Sequence, residues 1–500
     1  MVALQTSAEL LAAAFRHHQA GRPSPAAQLY RQLLSFEPDH GKALLMLGML
    51  QASAGAAEAE RLLRRFLALP ASPFEQKTVL LELAKLRQKW GRQEDAAEAL
   101  RRAALLAPDW GEAWCRLGDI RRNEAILRRT VTLEPDNVHA WFLLAQILEK
   151  QKRAAEALTC NIEAGRRHGI QRHPCLTGKP IARVLLIGGA GSCNLPPEFL
   201  FDRQRYELLT TYLLPADAEG ADVAALVKKL PPFDVAFNAI ADLDRGGAYF
   251  PQAEALCRRL LQPVLNPPDQ RIVRTGREPI GALLDGTEGL LLPATRRLSR
   301  RDLEGIGDPR HPILLRPAGT HGGEDLRQVE SRAQIAAYLG AVPEEQHYLT
   351  DFVDYADGDG YYRKYRFIFV DREVYPYHLA IGRNWLLHYI SSDMDAEARF
   401  RLEEERFLAD WRATLPPAAI GAVEEIGRRL DLDYAGIDCA VARDGRLILF
   451  EANPCMLVHL RDSPERYSYK HRYVPRIAHA VDRMVERRRA AAAEKGSFAS

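Results

Sequence analysis

A recurring helical unit is the feature that most constrains the fold of this chain. Proline recurs at the ends of amphipathic segments, and small residues recur at matching places within them. Proline ends a helix because it lacks an N–H donor and clashes with the preceding turn. Small residues let antiparallel helices approach closely, so the pattern predicts stacked helical pairs. The prolines are Pro38, Pro70, Pro108 and Pro135, and the related segments are Ala43–Gly48, Glu112–Gly118, His139–Ala145, Asp95–Leu100 and Ala154–Leu158.

These units resemble the tetratricopeptide repeat, a helical pair with a period of ~34 residues. The resemblance implies an all-α solenoid over residues 1–170, with a concave face that binds a peptide or protein. Helical solenoids also serve as dimerisation or spacing elements, and a generic helical bundle is the alternative fold. The unit that contains Trp114 and Gly118 is short, so we expect a kink or a fused helix where Asp119–Arg122 meets Asn123.

Beyond a linker, predicted at residues 171–182, strands alternate with helices. Short apolar runs bounded by Gly or Pro predict an open parallel sheet, in an α/β subdomain over residues 183–275. The loop Gly188–Ser192 follows the first strand, at the sheet edge where such folds bind ligands. A tight turn is at least as good an interpretation of that loop. The predicted strands are Arg183–Gly188, Phe233–Asn238 and Pro263–Asn266.

The third region, residues 276–480, contains extended segments in hairpin-like pairs. Tyr365–Val370 and Glu373–Leu379 are one such pair, which favours an α+β fold with antiparallel sheets. The last stretch, residues 481–500, is rich in Arg, Ala and Ser towards its end, and we predict a frayed helix and flexible tail. A chain of 500 residues exceeds what one hydrophobic core usually serves, which agrees with several domains.

A hairpin near residue 440 brings together residues that suit a metal ion. Asp444-Gly445 lies between two apolar runs, which is a strong hairpin signal. Counting from that turn places Asp438 opposite Glu451, and strand periodicity places Asn453 on the face of Glu451. Facing carboxylates repel each other, so a sheet gains no stability from them. Oxygen ligands on one face, next to phosphates, suit Mg²⁺.

This hairpin looks like the metal-binding hairpin of the ATP-grasp superfamily, whose members include glutathione synthetase and the ribosomal-protein glutamate ligases. In that family an Asp and a Glu hold Mg²⁺ on the ATP phosphates and an Asn completes the shell. Asp438, Glu451 and Asn453 take those places here, after a predicted helix over Ala418–Leu430. The resemblance implies an ATP-grasp fold over residues 276–480, preceded by a pre-ATP-grasp subdomain.

Other landmarks of the family follow in its order. Arg316, on the predicted strand Pro312–Pro317, and Arg277 resemble the basic residues that contact ATP phosphates. The family usually has Lys at both places, but Arg keeps the charge and binds phosphate oxygens through two N–H groups. The resemblance further implies ATP contacts from the glycine-rich loop (His321, Gly322, Gly323), the adenine hinge (Asp351, Phe352, Val353) and a ribose-binding acid (Asp357 or Asp359).

Substrate-side residues are expected on the strands after the hinge. Arg366 resembles the Arg that stabilises the acyl-phosphate in related ligases, so Arg316 and Arg366 are the implied catalytic residues. The segment Trp385–Tyr389 is expected to pack in the core rather than form an acceptor site. Further candidates for the pocket lining are Lys364, His378 and Arg383.

The resemblance implies an ATP- and Mg²⁺-dependent ligase that joins a carboxylate to an amine or another nucleophile through an acyl-phosphate. The repeats suggest a peptide or protein substrate, which tethering would concentrate locally. Two alternatives stay open: a repeat scaffold with a degenerate nucleotide sensor, and an ATP-grasp kinase. A homodimer is left open as well.

Composition narrows the setting. The formal net charge is +2, too close to neutral to favour nucleic acid or an anionic membrane as partner. No run of ~18 apolar residues appears, and residues 1–9 do not have the pattern of a signal peptide. The seven cysteines include no Cys-x-x-Cys pair, which indicates reduced thiols. We therefore expect a cytoplasmic protein.

Overall fold

The computed structural model describes residues 6–55, 57–191, 193–194, 199–240, 242–320, 322–454 and 456–497. The chain divides into two compact units, Met1–Arg167 and His168–Ser500. None of the helices in the described ranges combines the length and the apolar character needed to cross a membrane.

The first unit consists of consecutive helices that pack in pairs. Its described residues form α1 (Ser7–Gln19), α2 (Pro23–Phe36), α3 (Gly41–Ser53), α4 (Glu58–Leu67), α5 (Pro73–Lys89), α6 (Gln93–Leu106), α7 (Gly111–Arg121), α8 (Glu124–Leu133), α9 (Val138–Lys150) and α10 (Ala154–His168). Glycine permits the close approach within two pairs. A Cβ on Gly48 of α3 would lie 2.6 Å from Leu63 of α4, and one on Gly118 of α7 would lie 2.7 Å from Leu127 of α8. The helical repeat prediction is confirmed at this level.

The predicted kink or fused helix in the short unit is wrong. Helix α7 ends at Arg121, and Arg122 adopts the left-handed conformation, with φ 47° and ψ 49°. The Asn123 side chain then caps α8 by accepting a hydrogen bond from the N–H of Ile126, at 3.1 Å. A left-handed residue followed by an N-cap reverses the chain within two residues. The unit is therefore short because its turn is short, and the two helices remain separate.

The second unit combines three sheets with surrounding helices. The strands in its described residues are β1 (Ile170–His173), β2 (Ala182–Gly189), β3 (Tyr206–Leu213), β4 (Val235–Asn238), β5 (Val264–Leu265), β6 (Leu290–Leu291), β7 (Thr295–Ser299), β8 (Ile313–Pro317), β9 (Arg327–Val329), β10 (Gln346–Asp351), β11 (Tyr362–Val370), β12 (Glu373–Gly382), β13 (Tyr434–Val441) and β14 (Leu447–Asn453).

Its helices vary from single turns to more than five turns. They are α11 (Val223–Lys229), α12 (Leu243–Gly246), α13 (Phe250–Cys257), α14 (Gln270–Val273), α15 (Ile280–Leu284), α16 (Arg300–Glu304), α17 (Arg332–Ala341), α18 (Ala398–Ala409), α19 (Trp411–Thr414), α20 (Pro417–Leu430), α21 (Lys470–Tyr473) and α22 (Pro475–Ser497), with 3₁₀ turns at Gly247–Tyr249 and Tyr389–Ser391.

The first sheet has the order β1-β3-β2-β4-β5, and its three predicted strands, β2, β4 and β5, are parallel as expected. The prediction of a linker at residues 171–182 is wrong at its two ends, because Ile170–His173 forms β1, antiparallel to β3, and β2 begins at Ala182. An ion pair between Arg172 and Glu207, at 2.8 Å, joins the two strands. The polar composition of β1 suits an exposed edge strand, which explains why it resembles a linker.

The other two sheets are mainly antiparallel. The second has the order β7-β10-β8-β9, and the third has the order β12-β11-β13-β14-β6, in which β6 is parallel to β14. The predicted hairpin of β11 and β12 is present. Helix α20 covers the third sheet with buried residues such as Val423 and Ile426. The α+β prediction for this region is therefore confirmed at the level of its sheets and helices.

Of the predicted frayed helix and flexible tail over residues 481–500, the helix is present, but it is not a flexible tail within the described residues. Helix α22 continues to Ser497, and Val481, Met484 and Val485 on it are buried in the hydrophobic core. Arg488 pairs with Asp433 at 2.8 Å. Apolar residues at helical spacing give α22 a face to bury, which a charged and Ala-rich composition conceals.

Candidate functional site

A cavity of about 680 Å³ lies in the second unit, lined by strands of the four-stranded sheet and of the sheet that contains β13 and β14. Most of the predicted site residues that the structure describes meet there. They are Arg277, Arg316, Gly322, Gly323, Asp351, Phe352, Val353, Arg366, Asp438 and Glu451.

The β13–β14 hairpin brings the two predicted metal ligands face to face. Asp438 pairs with Glu451 in the register of the strands, as predicted from the turn. The pairing next to the turn differs from the prediction, since Val441 pairs with Leu447. An irregularity between Asp438 and Cys439 adds one residue to the β14 side and restores the predicted pairing. A β-bulge of this kind re-aims side chains and is common beside active sites.

Each of these carboxylates is bound by cationic side chains. Asp438 accepts hydrogen bonds from Arg366 Nε at 2.6 Å and Nη2 at 2.9 Å. Lys364 Nζ lies 2.7 Å from the same carboxylate. Glu451 pairs with Arg277 at 2.5 Å. Arg366 is predicted to stabilise the acyl-phosphate. In the structure its guanidinium is held in place by this bidentate contact with Asp438.

These ion pairs determine the protonation of the site. Burial alone would raise the pKa of Asp438, but Arg366 and Lys364 more than offset it and hold that pKa well below its ordinary value. Burial likewise opposes ionisation of Glu451, and the charge of Arg277 lowers its pKa in spite of the neighbouring Asp438. Both carboxylates are therefore ionised at neutral pH.

Arg316 is a buried cation, only 9% exposed. Its guanidinium donates hydrogen bonds to the backbone O and to the hydroxyl of Thr320, and among the described residues no carboxylate forms an ion pair with it. Burial and the charge of Arg277 lower the pKa of Arg316 to about 10. Glu451 and Asp244 oppose this shift without pairing with Arg316, so an anionic ligand in direct contact would still stabilise the buried guanidinium.

The glycine-rich loop after β8 is fixed at its start by helix α12. Gly319 N–H donates to Asp244 Oδ2 at 3.0 Å, and Arg245 Nε donates to the Gly319 carbonyl at 2.7 Å. Asp244 also accepts from the Tyr348 hydroxyl, at 2.9 Å. The prediction for His321 lies outside the described residues. Gly322 and Gly323 follow it with positive φ angles, 59° and 73°, and both line the cavity.

The cavity lining also includes apolar side chains. Thr287 is among the lining residues, and its Oγ1 is buried and has no hydrogen-bond partner among the described residues. Backbone hydrogen bonds join Thr287 to Leu284 at 3.1 Å and to Leu290 at 3.3 Å. Apolar walls with a few polar atoms suit a flat aromatic base. The apolar lining residues are Leu284, Leu290, Leu292, Leu314, Val353 and Leu449.

Three predicted ligands do not line the cavity. Asp357 and Asp359 pair with Arg363 instead, at 3.3 and 2.9 Å, so their prediction as ribose-binding acids is not supported by the geometry. Asn453 is the last residue of β14, paired with Gly436. It follows Glu451 on the same strand but lies beyond the cavity lining.

The remaining candidates have mixed positions. Lys364 lines the cavity, His378 is buried and stacks on Tyr389 at 4.8 Å, and Arg383 is exposed over the ring of Tyr361. The segment expected to pack in the core instead contributes several residues to the cavity. These are Trp385, Leu386, Leu387 and His388.

Sequence reasoning missed His388 and Thr287, because neither lies in a motif. The ring nitrogen Nε2 of His388 and the hydroxyl of Thr287 are both buried, and neither has a hydrogen-bond partner among the described residues. Only the fold brings residues 287 and 388 to the same cavity. A polar residue within a short apolar segment, such as His388 in Trp-Leu-Leu-His-Tyr, was the one available signal.

The donor set suits Mg²⁺ under one condition. Asp438 and Glu451 offer carboxylate oxygens, the preferred ligands of this ion. Among the described residues no group of three or more His, Cys, Asp or Glu side chains forms a metal site. Cationic side chains already pair with both carboxylates. The residues therefore fit Mg²⁺ on the condition that phosphate oxygens arrive with it as further ligands.

Comparisons with known proteins identify no family. No protein-family model matches the chain, and no curated protein matches it. Among solved structures, the chain is similar over 32% of its length to a MamA protein (TM-score 0.30, 18% identity, 91% of that chain). A MamA fragment from Desulfovibrio magneticus RS-1 gives a TM-score of 0.30 at 16% identity, covering 33% of this chain and 97% of that one. YrrB, a TPR protein with an unusual peptide-binding site, gives 0.29 at 15% identity, covering 32% and 84%.

Proposed function

We propose that this chain is an ATP- and Mg²⁺-dependent ligase that activates a carboxylate and joins it to an amine or a related nucleophile. The observation that carries the proposal is the excess of positive charge around the hairpin. Four cationic side chains lie around Asp438 and Glu451, and the cavity lining contains three further acids, Glu278, Asp285 and Asp351. The cationic residues are Arg277, Arg316, Lys364 and Arg366.

The shape and lining of the cavity support a nucleoside triphosphate. Arg316 forms no ion pair with the described carboxylates, so the phosphates would supply this buried cation with a direct counter-charge. The apolar side chains offer a surface for a base, and Asp351, Phe352 and Val353 also line the cavity. A volume of about 680 Å³ lies within the range of pockets that bind cofactor-sized molecules.

In the proposed reaction, negative charge develops on oxygen atoms that lie next to the cationic side chains. A carboxylate oxygen of the substrate attacks the terminal phosphorus of ATP, the bond to the bridging oxygen breaks, and ADP leaves. The nucleophile then attacks the acyl carbon, expels phosphate and loses a proton to solvent. Arg277 and Arg316 would stabilise the phosphates, and Arg366 would hold the acyl-phosphate oxygen, because fixed cations are most effective where charge develops.

Two features of the chain would assist these steps. The Arg366 guanidinium is held by Asp438, so it needs little reorganisation when the reaction begins. The glycine-rich loop would exclude water from the acyl-phosphate, which otherwise hydrolyses. Asp438 and Glu451 would hold Mg²⁺, which adds further charge neutralisation at the phosphates when it is bound.

The helical repeats support a peptide or protein as one substrate. Stacked helical pairs form extended concave surfaces, which suit an extended polypeptide as ligand. The ligase proposal does not depend on this part, since every residue used above lies in the second unit.

Calorimetry of ATP binding, with and without Mg²⁺, tests the proposal. Wild type is expected to bind ATP tightly only with Mg²⁺. Glu451→Gln removes one candidate metal ligand and releases Arg277, so we expect at least a tenfold loss of affinity for ATP with Mg²⁺. Metal-free ATP should bind the variant no more weakly than wild type, because a negative charge has been removed.

Asp444→Asn is the matched control, since Asp444 is an exposed acid at the turn of the same hairpin. It should bind ATP as wild type does. If wild type binds no nucleotide at millimolar concentration, the ligase proposal fails and the chain is better treated as a repeat scaffold. If ATP binds, carboxylate–amine pairs are screened for ADP release, and a stable phosphorylated product in place of an amide would indicate a kinase.

A further inference from the structure

The segment that carries His388 is held in place by a buried polar cluster. The hydroxyl of the next residue, Tyr389, donates to Glu404 at 2.8 Å. Lys470 Nζ lies 3.8 Å from the centroid of the Tyr389 ring, and His378 stacks on that ring at 4.8 Å with an interplanar angle of 28°. Glu404 is fully buried. This anchoring limits where the side chain of His388 can go.

His388 itself points a nitrogen at the glycine-rich loop. Its Nε2 is inaccessible to solvent and has no hydrogen-bond partner among the described residues. A Cβ on Gly323 would lie 2.6 Å from that nitrogen, so the loop backbone lies directly over it. A buried polar atom without a partner is unfavourable, and a catalytic role or contact with a bound ion is among the reasons for which native proteins keep one.

The charges around His388 place it in the cationic part of the cavity. Burial lowers the pKa of His388, and the charge of Lys364 lowers it further, with opposing effects from Asp438 and Glu451. The ring is therefore neutral at neutral pH and carries one N–H, on either nitrogen. An anionic ligand beside Nε2 would favour the tautomer with the proton on that atom.

We propose that His388 donates a hydrogen bond from Nε2 to the terminal phosphate of the bound nucleoside triphosphate and so distinguishes a triphosphate from a diphosphate. This assignment rests on the proposed function. The apolar side chains of the cavity lining take the base, and the phosphate furthest from the base reaches the cations around Asp438. A side chain at position 323 would block the contact, because its Cβ would lie 2.6 Å from Nε2.

The test is calorimetry with ATP and with ADP, each with Mg²⁺, on the full-length chain. His388→Leu removes the donor, and we expect affinity for ATP to fall about tenfold or more, as for a lost hydrogen bond to a charged group. Affinity for ADP should change less than about twofold, because ADP lacks the contact. His388→Gln carries an amide N–H near the position of Nε2 and should recover most of the ATP affinity.

A pair of glycine variants tests the geometry separately. Gly322→Ala and Gly323→Ala both add a Cβ at a positive φ, but only the second meets His388, since nothing lies within 4 Å of a Cβ on Gly322. Gly323→Ala should therefore lose more affinity for ATP than Gly322→Ala. In a His388→Leu background, that difference should shrink.

The outcomes separate the two proposals. If wild type binds neither nucleotide, the proposed function fails and this assignment fails with it. If wild type binds both, equal losses for ATP and ADP in His388→Leu, or no loss for either, refute the role of His388 alone. Thermal unfolding of each variant shows whether it is folded, and a folded His388→Gln without rescue also counts against the assignment.

Discussion

Replacing Asp438 by Asn tests how the two cations beside it are balanced. The change keeps the size of the side chain and removes its charge. Lys364 and Arg366 then remain next to each other with only 17% and 20% of their side chains exposed. Removing one partner of a buried ion pair costs about 3–5 kcal/mol, because the other charge stays buried. Glu451 still acts favourably on Arg366, so we expect the lower end of that range.

The effect should depend on pH in a defined direction. The pKa of Asp438 is held below its ordinary value in the folded chain, so its contribution to stability is present above the unfolded-state pKa of about 4. That contribution is lost as the pH falls through and below this value. The difference in stability between wild type and Asp438→Asn should therefore be full at pH 7 and shrink progressively below about pH 5.

Hydrogen exchange of the β13 and β14 amides is the suitable assay, because it reports on this hairpin within the full-length chain. Protection factors at several pH values, corrected for intrinsic exchange, give the local free energy of opening. Asp444→Asn, at the exposed turn, should change protection little. A difference below about 1 kcal/mol at pH 7 for Asp438→Asn, or one that grows as the pH falls, would refute the reasoning.

Three further predictions concern single side chains in the second unit. Thr287→Val removes a buried hydroxyl without a partner, so the nucleotide-free chain should gain about 1 kcal/mol or stay unchanged in urea unfolding, whereas a clear loss would reveal a partner. Glu404→Gln should cost about 2–4 kcal/mol, since it weakens a fully buried cluster of hydrogen bonds, and a near-neutral result would show that the cluster is not stabilising. Gly427→Ala should lose about 1–3 kcal/mol, because its Cβ would lie 2.7 Å from the Phe369 ring. Gly421→Ala, exposed on the same helix, should gain about 0.5–1 kcal/mol, and equal effects at the two glycines would contradict the packing argument.

Local patterns predicted much of the second unit because they are set by neighbouring residues. The Asp-Gly turn gave the pairing of Asp438 with Glu451, and apolar periodicity gave helix α20. Even so, the register at Asp438 depends on a bulge that no pattern in the sequence predicts. The prediction holds because two differences, one at the turn and one at the bulge, compensate each other.

The misses share a physical cause, which is burial determined by distant residues. His388 and Thr287 enter the cavity because segments a hundred residues apart meet there. Asp359 is the exception, because Arg363, which pairs with it at 2.9 Å, lies only four residues further along the chain. The ion pairs of Asp438 with Lys364 and Arg366 also join separate strands. The pairing of this candidate metal ligand with cations therefore could not be predicted from spacing.

Strand β1 decides where the second unit can be separated from the repeats. A fragment that begins after Pro180, where the composition changes, would lack β1 and leave the hydrogen-bonding edge of β3 uncovered. Uncovered edges recruit strands from other molecules, so such a fragment should aggregate even if its cavity forms. A fragment that begins at His168 keeps the edge covered. Soluble expression of the second unit on its own therefore depends on residues 168–180, which look dispensable.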